Sequence, residues 1–246
     1  MIRIEVQGIK STIATLSGQG KQVIYAASRT LNTMAFGINA DIKTEMNARF
    51  KGGATAFTLR AFRIDKASKE KLTAIVALRD DAPDGGSSYE KALHHLFTGG
   101  TRDWKKIEGL LRGIGLIPDG LMIVPGAACP LDSRGNMRKA ALNEMLGVIK
   151  SNVRNIRVFR RTGAGKQQKG VGYFVVMPGD KTNLHIGIWK RIEVGASSTI
   201  KPIIMYVHQG KWSKFIDLDH IGNNFVARRW QPVFELELAD AMRTAR

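Results

Sequence analysis

Apolar residues recur at steps of three or four through Val23, Ala27, Leu31, Met34, Ile38, Ile42, Met46 and Phe50. That spacing predicts one apolar stripe along a helix of roughly 28 residues, about 40 Å long at 1.5 Å per residue. Arg29, Asp41, Lys43 and Glu45 fall off the stripe, and Gly52-Gly53 supplies a stop. Gly37 sits inside the helix, where glycine costs roughly 1 kcal/mol relative to alanine. Either a neighbour packs closely against it or the helix kinks there. Ahead of the helix, Ile2, Ile4 and Val6 alternate with polar residues, a strand pattern unlike a signal peptide.

Alternation continues after the helix. Phe57, Leu59 and Ala61, then Leu72, Ala74, Val76 and Leu78, predict an antiparallel pair of strands joined by the polar stretch 65–71. Residues 81–88 form the clearest break in the chain. Short helices are expected over 89–97 and 104–112, a Gly- and Pro-punctuated loop over 116–129, and an amphipathic helix over 137–149. Strand patterns resume at 171–177, 184–192 and 200–208. The closing segment, 220–243, has helical spacing, and Pro232 is expected to kink or split it. The reading is an α+β fold in which long N- and C-terminal helices pack on a mainly antiparallel sheet. Residues 1–81 and 153–246 would form the body, with 82–152 a helical insertion.

Charge changes this picture more than composition does. With 38 Lys and Arg against 21 Asp and Glu, the 246-residue chain carries a formal net charge of +17. Such a chain is drawn to nucleic acid, anionic surfaces or acidic proteins. No stretch approaches the ~20 apolar residues of a membrane span, so a cytoplasmic origin and no membrane partner are expected. Cys129 is the sole cysteine, which excludes an internal disulfide and a multi-cysteine metal site.

The candidate chemistry is thin. Ser17-Gly-Gln-Gly-Lys21-Gln22 and Gly163-Ala-Gly-Lys166-Gln167 both contain Gly-Lys, but lack the Ser or Thr and the earlier glycine of a phosphate loop. His94-His95 are neighbours on a helix and point about 100° apart, which argues against a shared metal. His185, His208 and His220 have no partner at ligand spacing, no Gly-x-Ser-x-Gly elbow occurs, and Asp80, Asp81 and Asp84 fall in a turn. No catalytic residue, cofactor or metal is expected. The strongest feature is the acid-free run 146–179, where Arg154, Arg157, Arg160, Arg161, Lys166 and Lys169 could contact phosphates or an acidic neighbouring subunit. A solvated connector carrying charge for solubility is the other reading of that run.

One family resemblance joins these segments. Ala27-Ser-Arg29-Thr30-Leu31-Asn32-Thr-Met-Ala35 resembles the opening helix of the minor tail protein Z family of lambda-like phages and prophages. Gly187-Ile-Trp189-Lys-Arg191, then Lys201-Pro202-Ile-Ile and a closing helix, resemble that family's last third. Gly99-Gly100-Thr101-Arg102, Val124-Pro125-Gly126 and Leu131-Asp132-Ser-Arg-Gly135-Asn136 look like segments of longer prophage proteins of this kind. The resemblance implies a virion protein, made in the host cytoplasm, acting at the head-proximal end of the tail. It implies a homo-oligomeric ring that works with tail-terminator, tail-tube and connector proteins, in a position where contact with DNA is open to it. The alternative is a basic protein that binds nucleic acid without regard to sequence.

Overall fold

The computed structural model describes residues 1–5, 20–83, 87–151, 172–194 and 197–244. In chain order the first elements are β1 (Ile2–Glu5), α1 (Gly20–Arg49), α2 (Ala56–Leu59), β2 (Phe62–Asp65), β3 (Thr73–Leu78) and α3 (Tyr89–Thr98). Then come α4 (Lys106–Gly113), β4 (Leu121–Pro125), α5 (Lys139–Ser151), β5 (Tyr173–Val176), β6 (Gly187–Val194), β7 (Ser197–His208) and α6 (Leu218–Arg243). They belong to two compact units, 1–102 with 212–246, and 103–211. The α+β class expected from the pattern is the class found, with two antiparallel sheets.

In the first unit the stripe on α1 does what its spacing demands. Leu31, Met34, Ile38, Ile42 and Met46 are wholly buried. Each contributes about 1.5–3 kcal/mol on leaving water. They pack on a three-stranded sheet of order β1-β3-β2, whose apolar face offers Ile2 and Ile4 beside Ala74 and Val76. Gly52 and Gly53 end the helix with φ of 70° and 80°, left-handed values that glycine adopts without strain.

Helix α6 runs antiparallel to α1. Arg29 pairs with Glu237, Asp41 lies 3.9 Å from Arg228, and the Arg49 guanidinium donates to the Phe215 carbonyl at 2.8 Å. Gly37 is where the two helices close. A Cβ there would stand 2.1 Å from the Phe225 ring, so close packing, rather than a kink, accounts for the glycine. Pro232 does not split α6, which is continuous through it. Arg228 and Pro232 are both exposed, so water can satisfy the carbonyl that the proline leaves unpaired.

Three expectations need correction. Residues 56–59 form a helical turn rather than a strand, because the Thr55 hydroxyl caps it by accepting the Thr58 N–H at 3.2 Å. The stretch 116–129 is not all loop, since Leu121–Pro125 is strand β4, paired with β7. The boundaries 82 and 152 also differ from the units found. Helix α3 belongs to the first unit, where Tyr89 stacks on Phe57 at 4.5 Å and Phe97 meets Phe62 edge-on at 5.4 Å. Pairing of β4 with β7 draws β5, β6 and β7 into the second unit, so it holds a sheet as well as helices.

The second unit is a four-stranded antiparallel sheet of order β4-β7-β6-β5. One face carries Ile123, Tyr173, Val175, Ile188 and Ile204 against Leu111 of α4 and Met145 and Ile149 of α5. Pro202 lies in the inner strand β7, where its missing N–H breaks the ladder. The register shifts there, between Ile188 and Trp189 on β6.

Two outcomes are expected from this packing. Gly37→Ala should destabilise the wild type yet stabilise a Phe225→Ala background, where helix propensity is no longer opposed by the ring. Thermal unfolding of the four proteins measures that reversal. The second concerns Asp217, which caps α6 by accepting the N–H groups of Asp219 and His220 at 3.1 and 3.0 Å. The His220 N–H, and after it Lys214, hold its carboxyl below the usual aspartate range. Asp217→Ala should therefore lower the melting temperature near neutral pH. The difference should close as acid protonates the wild-type carboxylate below about pH 3.9.

Candidate interaction surface

Residues with chemical potential are scattered rather than gathered. On α3, His94 is exposed and His95 half-buried, on different sides of the helix. His185 and His208 are exposed in the second unit, and His220 lies 2.9 Å from the Asn224 amide in the first turn of α6. Cys129 is a free, buried cysteine, and burial pushes its thiol pKa up, which suppresses the reactive thiolate. Asp81 is held in a fork by Arg79 with both contacts at 2.8 Å. Among the described residues no three His, Cys, Asp or Glu stand together as metal ligands, and no helix is long and apolar enough to cross a membrane. Lys21 is exposed in the first turn of α1. Arg154, Arg157, Arg160, Arg161, Lys166 and Lys169 lie outside the described residues, as do Lys10, Asp84 and the segment 163–167.

What the described residues do form is a positively charged sheet unit. Residues 103–211 hold 18 Lys and Arg against 7 Asp and Glu in sequence, a net +11 of the chain's +17; six of those cations lie in 154–169, outside the described residues, which leaves 12 against 7, a net +5, among those described. Five of those acids are occupied locally. Asp119 sits 3.5 Å from Arg112, and Asp132 accepts the backbone N–H groups of Arg134 and Asn136 at 2.9 and 2.8 Å. Asp180 accepts the Met177 N–H at 2.7 Å. Glu144 takes the Lys190 ammonium at 3.1 Å and the Tyr173 hydroxyl at 3.0 Å, and Lys190 and Tyr173 hold its pKa down. Lys139, Lys150, Lys181, Lys201 and Lys211 remain exposed. Asp119, Asp132, Glu144 and Asp180 make these bonds while exposed and keep their charge at the surface, so the unit is basic because its cations outnumber its acids.

Glu108 is the fifth, and its position has a clear cause. It is wholly buried, the third residue of α4, and one oxygen accepts the Lys105 N–H at 2.7 Å at the helix start. The other accepts the N–H of Ile123 at 2.9 Å. Strand β4 is a sheet edge, and Ile123 faces Tyr206, whose own N–H is donated to Ile186 on the far side. One turn on, Arg112 donates to the Leu121 carbonyl at 3.0 Å, while its guanidinium lies 4.0 Å from the Trp104 ring centre. Helix α4 thus supplies an acceptor and a donor to alternate outward groups of β4 and closes that edge to another strand. Sequence reading missed this pair. Its signal was the Glu at the third helical position followed four residues later by Arg.

Tyr206 is the opposite case. The residue is 1% exposed, its hydroxyl has no hydrogen-bond partner among the described residues, and burial pushes the phenol pKa up. No family model, curated protein or solved structure matches the chain.

Tyr206→Phe is expected to stabilise the second unit by about 1 kcal/mol, because a buried hydroxyl without a partner costs free energy. Glu108→Ala should cost about 1–3 kcal/mol or more and speed hydrogen exchange at the Ile123 amide. Urea unfolding and amide exchange read the two effects in opposite directions.

Proposed function

We propose that the chain is a structural virion protein of a tailed bacteriophage, a minor tail or tail-completion component. It would act at the head–tail junction by ring assembly and without chemistry of its own. The observation that carries this reading is the role of the segments that resemble the tail protein family. In the opening-helix segment, Ala27, Leu31 and Ala35 are core residues, the Thr30 hydroxyl bonds to the Ala26 carbonyl, and Asn32 ties down a distant backbone segment at Ala67. The two closing segments are hydrogen-bonded neighbours, with Trp189 opposite Pro202 and Arg191 opposite Ile200. A Cβ at Gly187 would meet the Ile204 carbonyl at 2.3 Å, so that glycine permits the close approach. These are packing and pairing roles, the kind a structural component needs.

The charge of residues 103–211 supplies the means of assembly, a surface for acidic partner rings or for DNA in the tail lumen. The same charge favours a second reading, sequence-independent nucleic-acid binding outside a virion. Gold labelling of a terminally tagged copy in purified virions separates the two. Label at the head–tail junction supports the tail reading, and virions that lack the protein would sink it. Within the tail reading, reversing Arg157, Arg160 and Arg161 together to Glu should cut the yield of tailed particles at least tenfold. Substitution of His94, His95 or Cys129 should leave that yield unchanged.

A further inference from the structure

Four residues of α1, Tyr25, Arg29, Asn32 and Phe36, follow one another at steps of four, three and four. They lie along one line of the helix, about 16 Å long. This line is not part of the core. Tyr25 and Asn32 are half-buried, Arg29 is exposed, and Phe36 is 50% exposed although it sits in the middle of a long helix.

The segment between β2 and β3 is fastened beside this line. The Asn32 amide donates to the Ala67 carbonyl at 3.1 Å and accepts the Ala67 N–H at 2.8 Å, the pair of bonds a neighbouring strand would make. Ser68 then closes a tight turn onto Lys71 through its N–H and its hydroxyl, at 2.9 and 3.1 Å. The result sets a lysine at each ring. The Lys66 ammonium is 5.5 Å from the centre of Phe36, and that of Lys69 is 4.8 Å from the centre of Tyr25, which Arg29 also approaches at 5.7 Å. Lys21 and Lys71 are exposed, one beside Tyr25 on the helix and the other at the end of the turn. Two carboxylates border the patch, Glu237 paired with Arg29 and Glu70 held by the Ser68 hydroxyl.

We infer that this face of α1 binds single-stranded nucleic acid a few nucleotides long, by stacking bases on Phe36 and Tyr25 and pairing phosphates with Lys66, Lys69 and Lys71. An exposed cation–ring contact is weaker than a base stacked on the same ring, so a base can take the ring face. The displaced ammonium then stands beside the phosphate that arrives with the base. Duplex keeps its base faces stacked inside and can use the lysines alone. An acidic protein would likewise satisfy the charges and leave an exposed phenylalanine without a role. Nothing in the patch reads base edges, so the binding is indifferent to sequence. It is independent of the virion assignment and draws on none of the residues 154–169.

Fluorescence anisotropy on the full chain tests it, with labelled oligothymidylate of about 15 nucleotides and the same strand in a duplex as probes. Phe36→Ala should weaken single-strand binding about tenfold, a stacking-sized loss, and change duplex binding little. Phe36→Trp should restore or exceed wild-type affinity, which separates lost stacking from a damaged fold, as does an unchanged melting temperature in Phe36→Ala. Removing Lys66 and Lys69 together should flatten the salt dependence by about 1.4 in log–log slope, at about 0.7 per single-strand phosphate. Equal affinity of Phe36→Ala and wild type for the single strand overturns the inference, as does an equal loss on duplex. Absence of single-strand binding by the wild type overturns it too, and would leave the patch to an acidic protein.

Discussion

Burial of Leu31, Met34, Ile38, Ile42 and Met46 leaves α1 no freedom to turn about its own axis. At 100° per residue, fixing that stripe fixes where every other side chain of the helix must point. Gly37 is carried round to face Phe225 of α6, with Asp41 on the same side towards Arg228. Tyr25, Arg29, Asn32 and Phe36 are carried to a third side, off the core stripe, where Asn32 meets Ala67 and Arg29 reaches across to Glu237 of α6. One side of the helix therefore supplies the core, one the helix pair and one a surface. A change that rotates α1 by a single residue step would disturb all three together.

The stripe was legible because it is long, and a period of 3.6 repeated over seven turns leaves little room for another reading. The half-exposed α6 was harder to read. Between Gly222 and Ala241 it has no buried residue, so its apolar positions mark partial cover rather than core. The turn at 56–59 was misread because three alternating residues are too few to separate strand from helix, and the Thr55 cap decided the matter. Strand β4 was misread because Gly120 and Pro125 bracket it. Both residues are compatible with the ends of an edge strand, where Pro125 gives up an N–H that the ladder can spare. Of the surface features, the charge could be counted from the sequence. Asn32 and Ala67, 35 residues apart, could not be seen to meet, and the aromatic–basic surface depends on that meeting.

Strand pairing in the second unit shows the same division between local and distant causes. Pro202 in an inner strand looks like a fault in isolation, and the register shift opposite it is how the sheet absorbs the missing donor. Glu108 looks like an exposed helix-start carboxylate, yet the outward N–H of Ile123 requires an acceptor and draws it inside. The sheet gains a sealed edge, and the surface loses a negative charge. Asp119, Asp132, Glu144 and Asp180 also bond locally, but they stay exposed and keep their charge at the surface.

The excess of cations bears on how copies of this chain could associate. A chain of net +17 repels its own copies, and the repulsion grows as they are brought side by side. A closed ring of identical subunits would stack this cost at every interface, where charges come within the Debye length of about 8 Å at physiological salt and are least screened. Ring formation and anion binding are therefore linked. The ring we propose closes only with counter-charge present, whether an acidic neighbouring ring or nucleic acid in the lumen. Helix α1 adds a constraint of its own, because the lysines beside Phe36 and Tyr25 are positioned by hydrogen bonds within one chain and need no second copy. Nucleic acid bound there would lower the charge of each subunit before assembly, so that the single-strand surface and the ring, though separable, favour one another.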